Sequence, residues 1–438
     1  MRLERLRGMA AHAGFRRYLN NTSWMFCEQI LRIVAGLLVG IWVARYLGPA
    51  QFGIFTYAVT FTAIFAGVAK LGLDGIVVRD LVDAPEKRDI YLGTAFWLKL
   101  AGAFLTLAVV GVAQLIMGNS RTINLYIFII SSGAVFQAFE VVDFYFQSKT
   151  LSKFVSLCKI TQLLFSSLLK LYFVFSGSEL FWFVLVALVD QAMLGLTLYL
   201  AYRSRGLGSF YRCFDAAVAR SLLRDSWPLI FSSFVTMVYM RIDQIMIKSL
   251  LGERELGLYT AAVRLSEVWY SFPAIIASSL FPAIVSAKKI SEALYLTRLQ
   301  RLYTGLVWMA IVVTVPVMFL CEWVVVFLYG EVFREAGRVL QIHIWSGVFV
   351  CLNVASVNWF TTENLQRLLF YRTFLGALIN VALNLVLIPH FGLVGAALAN
   401  VVTHAVVAVF FDALSTRTRP GFFMKMKTLN FMSLVRMR

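Results

Sequence analysis

Apolar residues run along this chain in windows of membrane length, each closed by a short polar or basic connection. A helix that crosses a bilayer needs about 20 mostly apolar residues. Twelve stretches meet that requirement, near 22–44, 53–73, 91–117, 122–146, 154–176 and 179–202, then 227–251, 256–286, 302–328, 337–361, 368–388 and 393–414. Several connections are tight, so many neighbours must be antiparallel helical hairpins. The pattern predicts an all-α integral membrane protein with twelve transmembrane helices.

Polar positions interrupt these windows at helical spacing. Glu28 and Arg32 lie one turn apart in the first span, so both project from one face and are expected to pair. The fourth span aligns Gln137, Glu140, Asp143 and Gln147, and the fifth Lys159, Gln162, Ser166 and Lys170. In the seventh, Arg241, Gln244 and Lys248 share a side, whereas Asp243 points elsewhere toward a neighbour; the eighth aligns Arg264, Glu267, Ser271 and Ser278. Lys99, Asp190, Arg372, Asn380, Asn384, Asn400 and His404 complete the set. Intramembrane charges are costly and turn toward a protein interior or a wet cavity. Lys70, Lys159 and Arg372 stand near span ends, where a long side chain can snorkel.

Taken singly, each of these groups is equally well explained as a structural ion pair or an interhelical hydrogen bond. Together, Arg32, Lys99, Lys170, Arg241, Lys248 and Arg264 lie at different depths on different helices, as the lining of a cavity for an anionic headgroup requires. Glu28, Glu140, Asp143, Asp190 and Glu267 would either bind a coupling proton or sodium ion or balance those cations. Gly36, Gly40, Gly392 and Gly395 are candidates for close helix packing or hinge motion.

Charge between the spans fixes an expected orientation. The loops on the side of the N-terminus carry 26 cations, among them Arg2, Arg5, Arg7, Arg16, Arg17, Arg203, Arg205, Arg212, Arg220, Arg224, Lys288, Lys289, Arg298, Arg301, Lys425, Arg436 and Arg438. The opposite loops carry only Arg45, Arg121, Arg254 and Arg334. Basic loops stay in the cytoplasm, so both termini are expected there, and the basic start reads as an uncleaved anchor. The 438 residues are 60% hydrophobic and 14% charged, with a mean hydropathy of +0.78 and a formal net charge of +17. That surplus would suggest nucleic acid in a soluble protein. Here orientation, the anionic leaflet and anionic substrates account for it, and no connection is long enough for a nucleic-acid-binding domain.

Catalytic readings find little support. The five cysteines are single and imply neither a disulfide framework nor a metal site. His12, His343, His390 and His404 lack metal-ligand spacing, and there is no P-loop or nucleophile elbow. No cofactor is implied. Membrane glycosyltransferases and polymerases commonly carry a large external catalytic loop, and no connection here is long enough for one.

The chain also repeats itself. Residues 45–58 (RYLGPAQFGIFTYA) and 249–262 (SLLGERELGLYTAA) align without a gap, matching Leu47 with Leu251, Gly48 with Gly252, Gly53 with Gly257 and Thr56 with Thr260 at an offset of 204. Each copy bridges the first two helices of a six-span half. The expected domains are a bundle over 1–202, a cytoplasmic linker over 203–226, a second bundle over 227–414 and a basic tail over 415–438. An even number of spans per half makes the repeats parallel, related by a pseudo-two-fold axis along the membrane normal.

The opening NTSWMFCEQILRIVAGLLVGIWVARYLGPAQFGIFTYA, the mid-chain RIDQIMIKSLLGERELGLYTAAVRLSE and the later INVALNLVLIPHFGLVGAALANVV resemble the polysaccharide (O-antigen, Wzx-type) flippases of the multidrug, oligosaccharidyl-lipid and polysaccharide exporter superfamily. The resemblance covers nearly the whole chain in order. It implies two six-helix bundles around a cavity that opens alternately to each side of the inner membrane. The implied substrate is an undecaprenyl-pyrophosphate-linked oligosaccharide. The polymerase and chain-length regulator of the same pathway are candidate partners, beside membrane lipid. Arg32 and Arg264 are the cations that fall within matching stretches. Three other readings remain: a drug and cation exporter, whose cavity should be lined chiefly with carboxylates; a membrane glycosyltransferase or polymerase, which would incorporate labelled sugar; and a noncatalytic scaffold, which would tolerate neutralised buried charges.

Overall fold

The computed structural model describes residues 13–428, and of residues 13–20 and 22 the backbone only. Arg2, Arg5, Arg7, Arg436 and Arg438 lie outside the described residues, as do the side chains of Arg16 and Arg17. The regular structure is helical throughout: α1 Ala13–Lys70, α2 Asp74–Asp83, α3 Arg88–Met117, α4 Arg121–Ser132, α5 Val141–Ser148, α6 Ser152–Phe175, α7 Leu180–Arg203, α8 Ala216–Leu250, α9 Glu253–Glu267, α10 Ser271–Ile290, α11 Glu292–Tyr329, α12 Ala336–His343, α13 Ser346–Thr362, α14 Gln366–Ala408 and α15 Arg419–Thr428.

Among the described residues, ten helical segments are long and apolar enough to cross a membrane. Two of them, Ser23–Asp83 and Gln366–Ala413, run to 61 and 48 residues, well beyond the roughly 20 that one pass needs. Each is broken where the backbone leaves helical geometry, at Gly48 (φ 70°) in α1 and at Gly392 (φ 59°) in α14. Pro49 and Pro389 stand beside the two breaks, where each lacks an amide hydrogen to continue the ladder. Large apolar side chains such as Leu115, Leu168, Phe319 and Val312 face outward, which in water would be a liability and in lipid is the resting state. The chain is a multi-pass membrane protein.

Contacts divide the chain into two compact units, one comprising residues up to Tyr46 with Ala58–Phe234, the other Leu47–Tyr57 with Val235 onward. The first unit has a core of Leu73, Val77, Leu92, Phe96, Val141, Phe146, Tyr202 and Phe210. The connection after α7 belongs to this core. Phe210 meets Phe96 and Tyr202 edge-on at 5.7 and 5.2 Å, and the Tyr211 carbonyl accepts from Trp97 Nε1 at 2.9 Å. The Cys213 carbonyl oxygen lies where a Cβ on Gly93 would stand. The stretch expected to be a linker is thus pinned on α3 and re-enters helix at Ala216.

The second unit is built around Tyr295, Leu299, Tyr303, Val307, Cys351, Trp359, Phe360 and Met424. Met424 comes from α15, a short basic helix absent from the sequence-based expectation. A fully buried ion pair holds it: Lys425 Nζ donates to Asp412 Oδ2 at 2.5 Å and to the Ala408 carbonyl at 2.6 Å. Burial pushes the Lys425 ammonium down to about 8 even beside that carboxylate. Between about pH 8 and the ordinary lysine range the unfolded chain binds the extra proton, so docking of α15 strengthens as pH rises through that window. Lys425→Met, which strands the carboxylate, is expected to cost about 3–5 kcal/mol. Lys425→Met with Asp412→Leu should recover most of the loss, as read from thermal melting and from protease cleavage near Leu414.

Candidate functional site

Intramembrane charges separate into two groups, one per unit. In the first unit they are mostly paired. Arg32 Nε donates to Glu28 Oε1 at 2.7 Å, as the one-turn spacing predicts. Lys99 is 1% exposed and donates to Glu140 Oε2 at 2.9 Å, with its ammonium 5.1 Å from the Phe144 ring centroid. Lys159 reaches Asp143 at 3.1 Å, and Gln147 donates to the other Asp143 oxygen at 2.9 Å. Gly133–Glu140 winds as a tighter 3-10 helix between α4 and α5, which sets Glu140 opposite α3. Lys170 and Asp190 are half-buried in α6 and α7.

In the second unit α8 and α9 meet at the repeated turn, and that meeting places the cations. Both copies of the repeat leave helical geometry on a positive-φ glycine, Gly48 (φ 70°) and Gly252 (φ 112°), conformations that side chains with a Cβ resist. One turn later the two backbones touch. A Cβ on Gly53 would stand 1.7 Å from the Glu253 carbonyl oxygen, and one on Gly257 would stand 1.9 Å from the Pro49 carbonyl oxygen. The contact is reciprocal at the same offset of 204 that relates the two sequences. Phe52 and Tyr57 are thereby fixed in place, fully or nearly fully buried.

Arg264 lies over the Phe52 ring at 5.2 Å and Lys248 over the Tyr57 ring at 4.9 Å. Lys248 also approaches Glu253 at 3.9 Å. Arg241 approaches Glu267 at 3.5 Å, both about 30% exposed. Arg264 makes no hydrogen bond or ion pair with a described residue, and its electrostatic neighbours are Tyr329, Arg241 and Glu267. Asp243 faces away, as expected: Tyr259 Oη donates to its Oδ2 at 2.5 Å and the Gln244 amide to its Oδ1 at 2.8 Å. Arg241 thus spends Glu267, Arg264 keeps no paired acid among the described residues, and Asp243 is held by Tyr259. Such a group carries unspent donors and fixed positive charge toward an anion.

Sequence reasoning undervalued Arg372. The expectation that it snorkels from a span end fails, because Arg372 is 1% exposed, over the Phe360 ring at 4.8 Å and bonded to Asn353. Its Nε and Nη1 have no partner among the described residues. His404 pairs with Tyr239 Oη at 3.0 Å and His343 with Ser266 Oγ at 2.6 Å. Hydrogen-bond capacity on both members of each pair was legible, but the pairing across helices was not.

Comparison with known proteins agrees with this architecture. Residues 18–288 match the family "Polysaccharide biosynthesis protein", and residues 228–386 match the MatE family. "Probable low-salt glycan biosynthesis flippase Agl15" of Haloferax volcanii is 25% identical over 374 residues, covering 84% of this chain and 76% of that protein. "Probable flippase AglR" of the same organism is 24% identical over 408 residues, covering 87% and 80%. The solved structure of lipid II flippase MurJ in an inward closed conformation superimposes with a TM-score of 0.70 at 14% identity, over 95% of this chain and 92% of that one, which shows a shared fold. The chain belongs to the polysaccharide biosynthesis protein family.

Proposed function

We propose that the protein moves an undecaprenyl-pyrophosphate-linked oligosaccharide repeat unit from the cytoplasmic to the outer face of the cell's inner membrane by alternating access. In this reading the ten segments make twelve passes, with α1 and α14 each passing twice across their glycine breaks. The passes form six-helix bundles over 1–202 and 227–414 related by a pseudo-two-fold, with both termini and the 203–226 connection in the cytoplasm. One relative is named a "probable low-salt glycan biosynthesis flippase" and the other a "probable flippase", which supports a lipid-linked glycan as the class of substrate.

The physics favours such a device. A pyrophosphate with a hydrophilic glycan cannot cross about 30 Å of hydrocarbon unaided, since each unpaired polar group there costs several kcal/mol. The observation that carries the reading is Arg264, held over Phe52 with no ion pair among the described residues. In this reading it receives the pyrophosphate, with Arg241 and Lys248 beside it and Arg32, Lys99 and Lys170 supporting the field. Glu28, Glu140, Asp143, Asp190 and Glu267 balance charge or carry a coupling ion.

Complementation tests this. Cells lacking their own repeat-unit flippase are expected to regain surface glycan when they express this chain. Efflux of organic cations without restored glycan would instead favour a drug exporter. In the same cells a cysteine at Ser209, beside the Phe210–Arg212 turn, should resist an impermeant thiol reagent until the membrane is opened; strong external labelling would invert the orientation.

A further inference from the structure

An apolar groove of about 590 Å³ lies between α10 and α11, and none of the candidate-site cations lines it. Ile276, Leu280 and Ile284 line one wall, Leu302, Leu306 and Met309 the other. Gly305 leaves the groove open, with nothing within 4 Å of where its Cβ would stand. One end is basic, formed by Arg298 and Arg301. Arg298 spends Nη1 on the Ala283 carbonyl at 2.6 Å, which fixes its guanidinium at the groove mouth and leaves its other N–H groups free to donate. Arg301 is exposed and has no hydrogen bond or ion pair with a described residue. Lys288 is taken by Glu363 at 2.8 Å.

A neighbouring helix packs beside this end. Gln300 Nε2 donates to the Met424 carbonyl of α15 at 3.1 Å, and α15 exposes Phe423 and Met426 together with Arg419 and Lys427. Arg298 and Arg301 stand just before the apolar run 302–328, where basic side chains at a span end meet the headgroups. The two arginines therefore stand at phosphate level, with the groove running from them into the hydrocarbon.

We propose that this groove binds an anionic phospholipid of the leaflet on the basic-loop side, with its phosphate between Arg298 and Arg301 and one acyl chain between α10 and α11. Basic pockets between membrane helices on that side suit anionic headgroups, and the volume lies within the roughly 300–1,000 Å³ of ordinary ligand sites. The site is independent of which solute the protein moves. It joins α10, which carries Pro273 and Pro282, to the longer α11, so its occupant braces a helix weakened by proline.

The test uses the purified full-length chain in mixed vesicles of phosphatidylglycerol and phosphatidylcholine, with retained lipid counted by native mass spectrometry. Phosphatidylglycerol should be retained selectively. Each basic side chain near an anionic headgroup contributes about a factor of five, so Arg298→Gln with Arg301→Gln should weaken retention about 25-fold. Gly305→Leu, whose Cβ meets nothing within 4 Å and whose side chain fills the groove, should abolish it and guards against misfolding of the double variant; Arg212→Gln should change nothing. Equal retention of both lipids, undiminished phosphatidylglycerol in both groove variants, or its displacement by an equal amount of a polyprenyl phosphate would each overturn the assignment.

Discussion

Arg264→Ala is expected to abolish surface-glycan export at normal protein levels, while Arg264→Lys preserves part of it. Alanine removes the fixed charge and all five donors together, whereas lysine keeps the charge and loses the planar fork that matches two phosphate oxygens. The position concentrates the effect. Arg264 sits over Phe52 without an ion pair among the described residues, so its removal strands no carboxylate of its own, and the fold should survive. Glu267 keeps Arg241 at 3.5 Å. A loss of one charge-assisted contact to a doubly anionic group corresponds to about 1.5–3 kcal/mol, roughly ten- to over a hundredfold in rate if the contact is made during translocation. Arg212→Ala, on the 3-10 turn after α7, changes net charge equally and should leave export intact. Quantitative glycan staining beside an immunoblot of membrane fractions separates transport from expression.

The second large effect is structural. Gly257→Ala and Gly53→Ala should each prevent accumulation of folded protein, because the added methyl would meet a backbone carbonyl oxygen at 1.9 and 1.7 Å. Backbone cannot swing aside as a side chain can. Overpacking of this kind costs about 1–3 kcal/mol where neighbours relax and more where they cannot, and here the touching pair also positions Phe52 and Tyr57 under the cations. Gly36→Ala is the control. Nothing lies within 4 Å of its Cβ position, so alanine should be tolerated and helix propensity slightly improved. Fluorescence-detected size exclusion of tagged variants reads the outcome directly; normal yields of monodisperse Gly257→Ala protein would remove the repeat contact from this account.

Much of this was legible in order along the chain. Apolar length and loop charge give the membrane segments, and the kinks at Gly48 and Gly392 fall between stretches that hydropathy separates. The Glu28–Arg32 pair follows from spacing alone. The reciprocal packing of Gly53 and Gly257 gives a physical reason for a repeat that otherwise reads as a short string of matched letters. Elsewhere hydropathy misled for identifiable reasons. It skipped α2 and α15 because charged helices of 10 residues fall below membrane length, and it read Lys425 as a solvated tail cation although Lys425 is buried against Asp412. Arg372 does stand near the start of α14, but Phe360 and Asn353 of the preceding helix cover it, which spacing within one helix does not reveal. Gly36 looked like a packing glycine and touches nothing. The pairings Lys99–Glu140 and Tyr259–Asp243 lie 41 and 16 residues apart, and helical periodicity, which orders neighbours within one helix, carries no information about such partners.

Translocation by the purified chain in liposomes tests the anion-binding role of Arg264 most directly. A fluorescent undecaprenyl-pyrophosphate oligosaccharide placed in one leaflet should become accessible from the other at a rate set by the unmodified protein. With Arg264→Ala and Lys248→Ala combined, in protein that elutes and melts like the original, the rate should fall to that of protein-free vesicles. Translocation by that double variant at the unmodified rate would contradict the account.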